Sequence, residues 1–224
     1  TSARIRDSEE NVFGELKVTT TTGFGTMWLV PRLAKFYERY PDVKIDLMLE
    51  ERVLDLPMRE ADVAIRMKEP SQQDLIRRRL LNIRMRLYAT PEYLAKAGTP
   101  MVFDDMATHR LICQSPQTPQ VSSGAVLSQA LLALNMTSTL MVNNYFGVLQ
   151  GVLNHVGIGI LPDYLTADFP NLVRVLPDIE SGEVPVFLAF PEELRTSRRV
   201  TAFRDFVLEE IQSIRRNQVE DEPL

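Results

Sequence analysis

The alternation of element types at the start of this chain constrains its fold more than any other feature. GELKV (Gly14 to Val18) is a short strand that runs into TTTTGFG, a hydroxyl-rich turn. Leu29, Val30, Leu33, Phe36, Tyr37 and Tyr40 then recur at helical spacing, and Tyr40-Pro41 stops that helix. Pro31 is expected within or near the helix's first turn, where its missing N–H does little harm. A second strand follows, with Val43, Ile45, Leu47 and Leu49 alternating against Lys44 and Asp46. A third apolar run, Val63 to Ile65, ends in Arg66. Strand, helix, strand, helix and strand in this order build a parallel sheet, whose strand ends and helix N-termini face one crevice. Crevices of that kind hold small ligands.

The remainder continues in the same style. Leu75 to Ala89 reads as extended, and Thr90-Pro91 opens a helix that Gly98 closes. Leu111 to Cys113 and Leu140 to Val142 are short strands on either side of a helix from Val126 to Leu134. Asn143 or Asn144 caps the next helix, GIGILP forms a buried strand, and strands follow at Leu172 to Leu176 and Val184 to Phe190. Val200, Phe203, Val207, Ile211 and Ile214 then form one stripe of a final helix. The 224 residues allow one large domain or two lobes of about 100 residues each, and 45% apolar content is enough for a sizeable core.

Charge and cysteine usage remove several function classes. A net charge of −5 is not the footprint of a nucleic-acid binder, despite the local cluster Arg77, Arg78, Arg79, Arg84 and Arg86. One cysteine, Cys113, forbids an internal disulfide and fits a reducing compartment. No apolar segment approaches the roughly 20 residues of a membrane span, and the chain is expected to be cytoplasmic.

Enzymatic constellations are thin. His109 and Cys113 would lie about 13 Å apart along a strand, too far for a nucleophile and its base. Two histidines and one cysteine offer no metal-ligand spacing, and neither metal nor cofactor is expected. After Gly23 and Gly25, the third glycine of a dinucleotide fingerprint would fall at Trp28. Phe24 and Trp28 read as packing or as a dimer surface, and His155 as a helix-end residue.

Thr19 to Thr22 place hydroxyls and backbone donors at a helix mouth, which suits a carboxylate. The competing reading is a turn that caps only its own helix. Arg52 and Arg66 each end a strand, where guanidinium groups could clamp an anion. Each could equally pair with Glu50, Glu51, Asp55 or Glu69.

Several phrases together resemble the effector-binding domain of LysR-type transcriptional regulators. They are Gly14-x-Leu16-x-Val18, the hydroxyl loop Thr19 to Thr22, Tyr40-Pro41-x-Val43, and Asp62-x-Ala64-Ile65-Arg66. ATPEYLAKAGTP and VNNYFGVLQGVLNHVGIGILPDYL complete the series. The resemblance implies two α/β Rossmann-like subdomains joined by two crossover strands, as in type 2 periplasmic binding proteins. Residues 14–85 and 186–216 would form the first lobe and 86–185 the second, with 1–13 ending a linker helix and 217–224 a disordered tail. It also implies a small-molecule effector between the lobes, near Thr20, Thr21, Thr22, Arg66, Gln114, Ser115 and Asn144. A homodimer is implied, with DNA contacted only through an N-terminal winged helix-turn-helix absent from this sequence. A solute-binding transport receptor of the same plan is the alternative. One departure stands out: His155 occupies a helix end where the family carries glycine, at a cost of about 1 kcal/mol of backbone strain.

Overall fold

The structure, a computed structural model, describes residues 12–52, 60–115, 124–134, 136 and 138–220. Two five-stranded sheets divide the chain. The first contains β1 (Gly14–Thr20), β2 (Val43–Leu49), β3 (Val63–Arg66), β4 (Leu75–Ile83) and β10 (Val184–Pro191), in the order β2-β1-β3-β10-β4. The second contains β5 (Met85–Ala89), β6 (Arg110–Gln114), β7 (Ser138–Val142), β8 (Ile158–Pro162) and β9 (Val173–Glu180), in the order β7-β6-β8-β5-β9. The parallel arrangement holds for β1 with β2 and β3, and for β6 with β7 and β8. Strands β10 and β5 run antiparallel to their neighbours. Those are the strands next to the crossovers, where the chain passes from one sheet to the other and back.

Both crossovers are short and tied to each other. Only Arg84 separates β4 from β5, and residues 181–183 separate β9 from β10. Ser181 N–H donates to Met85 O at 2.9 Å, and Met85 N–H donates to Ser181 Oγ at 2.9 Å. Glu180 accepts from Arg84 (2.6 Å), Arg86 (3.0 Å) and Arg174 (3.1 Å). The two passages therefore form one hydrogen-bonded hinge with clustered charges.

The helix after β1 starts earlier than its apolar spacing implies. It begins as an α-turn at Thr22–Phe24, widens to a π-turn over Gly25–Leu29, tightens to 3-10 over Val30–Arg32 and ends as α-helix over Leu33–Arg39. This unbroken run is called α1. Pro31 therefore sits in the helix interior, not in a first turn. Proline lacks an N–H and crowds the carbonyl four residues back, so the winding changes on both sides of it. Arg32 compensates nearby by donating its Nη1 to Trp28 O at 2.8 Å. Gly25 lets α1 lie on the strand ends: a Cβ there would come within 2.1 Å of Leu49 Cδ2 and 2.8 Å of Thr20 Cγ2.

The other α-helices among the described residues are α2 (Pro91–Ala97), α3 (Gly124–Leu132), α4 (Tyr145–Leu153), α5 (Asp163–Thr166) and α6 (Arg198–Glu220). Leu16, Val18, Val63, Ile65 and Leu188 supply one face of the first sheet. Phe36 of α1 and Phe203 and Phe206 of α6 pack edge-on together in the same core. Val200, Phe203, Val207 and Ile211 are buried as their spacing implied. Helix α6 runs on to Glu220, past residue 217 where a tail was expected. No proline interrupts it before Pro223. Val12 joins the core although residues 1–13 were expected to end a linker helix; residues 1–11 and 221–224 fall outside the described residues.

Candidate functional site

Thr20, Thr21 and Thr22 end β1 and open α1, and the register of the sheet decides where each side chain goes. Thr20 pairs with Ile65, and Thr19 with Ala64. Thr20 is fully buried under the first turns of α1, and its Oγ1 has no hydrogen-bond partner. A side-chain hydrogen bond joins Thr21 to Tyr164 of the second lobe. Thr22 N–H donates to Glu51 Oε1 at 2.8 Å.

Arg66 lies on the opposite face of the first sheet from Thr20. Its guanidinium donates to Thr19 Oγ1 (2.6 Å), Glu50 O (2.6 Å) and Arg52 O (3.1 Å), and only Nε is left unpaired. It is 3% exposed, and these bonds brace the carbonyls that follow β2. Burial lowers its pKa to about 10, against the opposing attraction of Glu51 and then Glu50. It remains charged at neutral pH. Arg52 pairs with Glu50 at 2.6 Å; Asp55, another candidate partner, lies outside the described residues.

The second wall comes from the strand ends of the other sheet. Gln114 ends β6 and donates Nε2 to Asn143 O at 3.1 Å; Ser115 N–H donates to Val142 O at 2.9 Å. Asn144 caps α4, its Oδ1 accepting from Gly147 N–H at 2.8 Å while its Nδ2 donates to Asn143 Oδ1 at 2.9 Å. Gln114, Ser115 and Asn144 thus share one end of the parallel strands β6 and β7.

The two walls meet at the starts of α1 and α4. A Cβ on Gly23 would lie 3.3 Å from Tyr145 Cβ and 3.5 Å from both Phe146 N and Tyr164 Oη. Phe24 packs its ring edge-on to Tyr164 at 5.4 Å and stacks on Trp28 at 4.8 Å. Both rings of that stack are buried, which makes Phe24 and Trp28 packing residues. The starts of α1 and α4 are therefore in contact, which brings Thr22 and Asn144 to one junction of the two lobes, with Arg66 on the opposite face of the first sheet from Thr20.

Sequence reasoning did not place three groups that the fold brings here: Glu51, Tyr145 and Tyr164. Burial raises the pKa of both phenols, and the nearby Glu51 charge raises them further. Burial likewise raises that of Cys113, at the end of β6. All three are neutral at pH 7, so the phenols are hydrogen-bonding groups and the thiol is no nucleophile. Tyr145 and Tyr164 could have been suspected from their places beside the Asn144 cap and in the PDYL turn. Glu51 was visible only as one of several partners for an arginine. His109 is occupied elsewhere, its Nδ1 3.2 Å from Tyr93 Oη, and burial lowers its pKa. Among the described residues no group of His, Cys, Asp and Glu could hold a metal ion, and no helix is long and apolar enough to cross a membrane.

Comparison with known proteins agrees with this two-sheet fold. The regulatory domain of CrgA from Neisseria meningitidis, a LysR-type transcriptional regulator, superposes with a TM-score of 0.76 at 25% identity, covering 89% of this chain and 99% of that one. In sequence, CrgA of N. meningitidis serogroup C is 29% identical over 203 residues, or 88% of this chain and 67% of the relative. An HTH-type transcriptional regulator of Xanthomonas campestris pv. campestris is 28% identical over 207 residues. The alignment takes in 87% of this chain but only 59% of that relative's length. The effector domain of AmpR from Pseudomonas aeruginosa shares the fold, with a TM-score of 0.72 at 20% identity. The family model described as LysR substrate binding domain matches residues 9–212, and the chain belongs to that family.

Proposed function

We propose that this domain senses a small organic carboxylate in the crevice between its two sheets, as the effector-binding part of a cytoplasmic LysR-type transcriptional regulator. One observation carries the reading: the N-termini of α1 and α4 converge from opposite lobes on the same spot. Helix starts favour anions, and neutral Tyr145 and Tyr164 add hydrogen-bond donors without opposing charge. Thr20 to Thr22 form the near wall; Gln114, Ser115 and Asn144 form the far one. Arg66 contributes positive charge from behind, not a direct clamp. A ligand touching both walls stabilises one relation of the lobes over another, which is what a sensor requires.

In the full-length protein, DNA contact belongs to an N-terminal winged helix-turn-helix, and two copies pair through the outer face of α1. Val30 and Tyr37 of α1 are among the large apolar residues left exposed, which supports that face as the subunit contact. The test is calorimetry with a carboxylate panel on the wild-type chain and on Thr21→Val. A carboxylate should bind, and Thr21→Val, which breaks the link to Tyr164, should weaken it by about 1 kcal/mol. Binding of neutral or cationic ligands alone, indifferent to Thr21, would overturn the reading.

A further inference from the structure

The seat described above for a carboxylate already holds one. Glu51 lies two residues beyond the end of β2, yet its Oε1 accepts the Thr22 N–H at 2.8 Å, at the mouth of a helix that runs unbroken to Arg39. Its charge reaches Arg66 in its own lobe, and Tyr145 and Tyr164 in the other. Two residues before Thr22 in sequence, Thr20 Oγ1 is buried and has no partner, while the Thr20 methyl lies against the first turns of α1. The helix start is thus partly satisfied by the chain itself, and the Thr20 hydroxyl at the end of β1 is not.

We propose that Glu51 is an internal competitor for the effector's carboxylate. The inference rests on the reading that the crevice takes a carboxylate, and adds how that ligand is selected. A carboxylate held by a helix N–H and within the field of a buried guanidinium is already well placed, so it gives an incoming amine little to gain. An incoming carboxylate, in contrast, can exchange with it like for like. The free site is then only a fraction of the population, and apparent affinity falls by that fraction. Simple carboxylates are rejected for that reason. A ligand that also supplies a partner for Thr20 Oγ1 and contacts Tyr145 and Tyr164 displaces Glu51. Its departure removes a charge from beside both lobe II phenols and frees the segment whose carbonyls, Glu50 O and Arg52 O, Arg66 holds.

The test is titration of benzoate, a carboxylate without further polar groups, into the ¹⁵N-labelled chain as wild type, E51Q and E51A. Benzoate should bind E51A at least tenfold more tightly than wild type, with E51Q between them and the Thr22 and Gly23 amides shifting. E51Q keeps an acceptor for the Thr22 N–H and so guards against a folding defect, checked by a thermal melt. Equal affinity in all three, with those amides shifting, would overturn the competitor while leaving the crevice as the site. Weaker binding to E51A would also overturn it, making Glu51 part of the ligand's contact. If benzoate shifts no amide of Thr20 to Gly23 or Asn144 to Phe146 in any variant, the crevice reading falls and the competitor with it.

Discussion

The two helices that face each other across the crevice are capped in opposite ways. Helix α4 is capped by the residue that immediately precedes it: Asn144 Oδ1 takes the Gly147 N–H three residues on. Helix α1 has Thr21 in that position, but no Thr21 side-chain cap forms. Its donor goes to Glu51, 29 residues away and beyond another strand. A local cap stabilises its helix whatever the rest of the fold does. A remote cap joins two elements, so whatever replaces it changes the relation between them. The second lobe thus offers a fixed wall and the first an exchangeable one.

Arg66 should show the largest effect, because it braces the remote side. It satisfies Thr19 Oγ1, Glu50 O and Arg52 O from within the core, and its charge faces Glu51. Removing one partner of a buried polar network leaves the others unsatisfied, which costs roughly 3 kcal/mol. Arg66→Ala should therefore lower the urea midpoint strongly and loosen the end of β2. A variant as stable as wild type that binds ligand poorly would break the comparison, since Arg66 would then be a ligand residue and not a brace.

The two caps themselves should differ by less. Asn144→Ala should destabilise by about 1 kcal/mol, the usual value for loss of a side-chain N-cap. Glu51→Gln should cost only a few tenths of a kcal/mol, since the amide oxygen still accepts the Thr22 N–H and the pair is partly solvated. Chemical denaturation of both variants checks the order. A cost at Glu51 equal to that at Asn144 would mean that the remote cap is structural, and not exchangeable.

The same distinction between near and far explains what the sequence revealed. Strand alternation, the Thr90-Pro91 opening, a cap at Asn143 or Asn144 and the apolar stripe of α6 depend on residues a few positions apart, and all were readable. The placement of Arg66 was not. Its identity at the end of an apolar strand is visible, but its hold on the carbonyls that follow β2 depends on a register two strands away. Glu51 was hidden for the same reason. The winding of α1 failed differently: Pro31 was legible as a helix residue, but π- and 3-10 turns let it sit deep inside the run, where a regular helix would not. The family and its two-lobed fold were legible from phrase order along the chain, not from any single residue.

The smallest effect concerns the other end of α4, where the local rule is broken. His155 follows that helix with φ +60, a conformation that costs a residue bearing a Cβ roughly 1–2 kcal/mol. Part of that is recovered: His155 Nδ1 lies 2.7 Å from Thr90 Oγ1, which also accepts the Tyr93 N–H as the cap of α2. The imidazole thus links the end of α4 to the start of α2. His155→Gly removes the strain and the link together, and because the hydrogen bond is worth about 1 kcal/mol, a small net gain of about 0.5 kcal/mol should remain. His155→Ala keeps the strain and loses the link, so it should destabilise by about 1 kcal/mol. Opposite signs in the two variants, read from denaturant midpoints, are the expected outcome. If both destabilise equally, the Thr90 link outweighs the backbone strain, and α4 is held at its far end by a distant partner just as α1 is at its start.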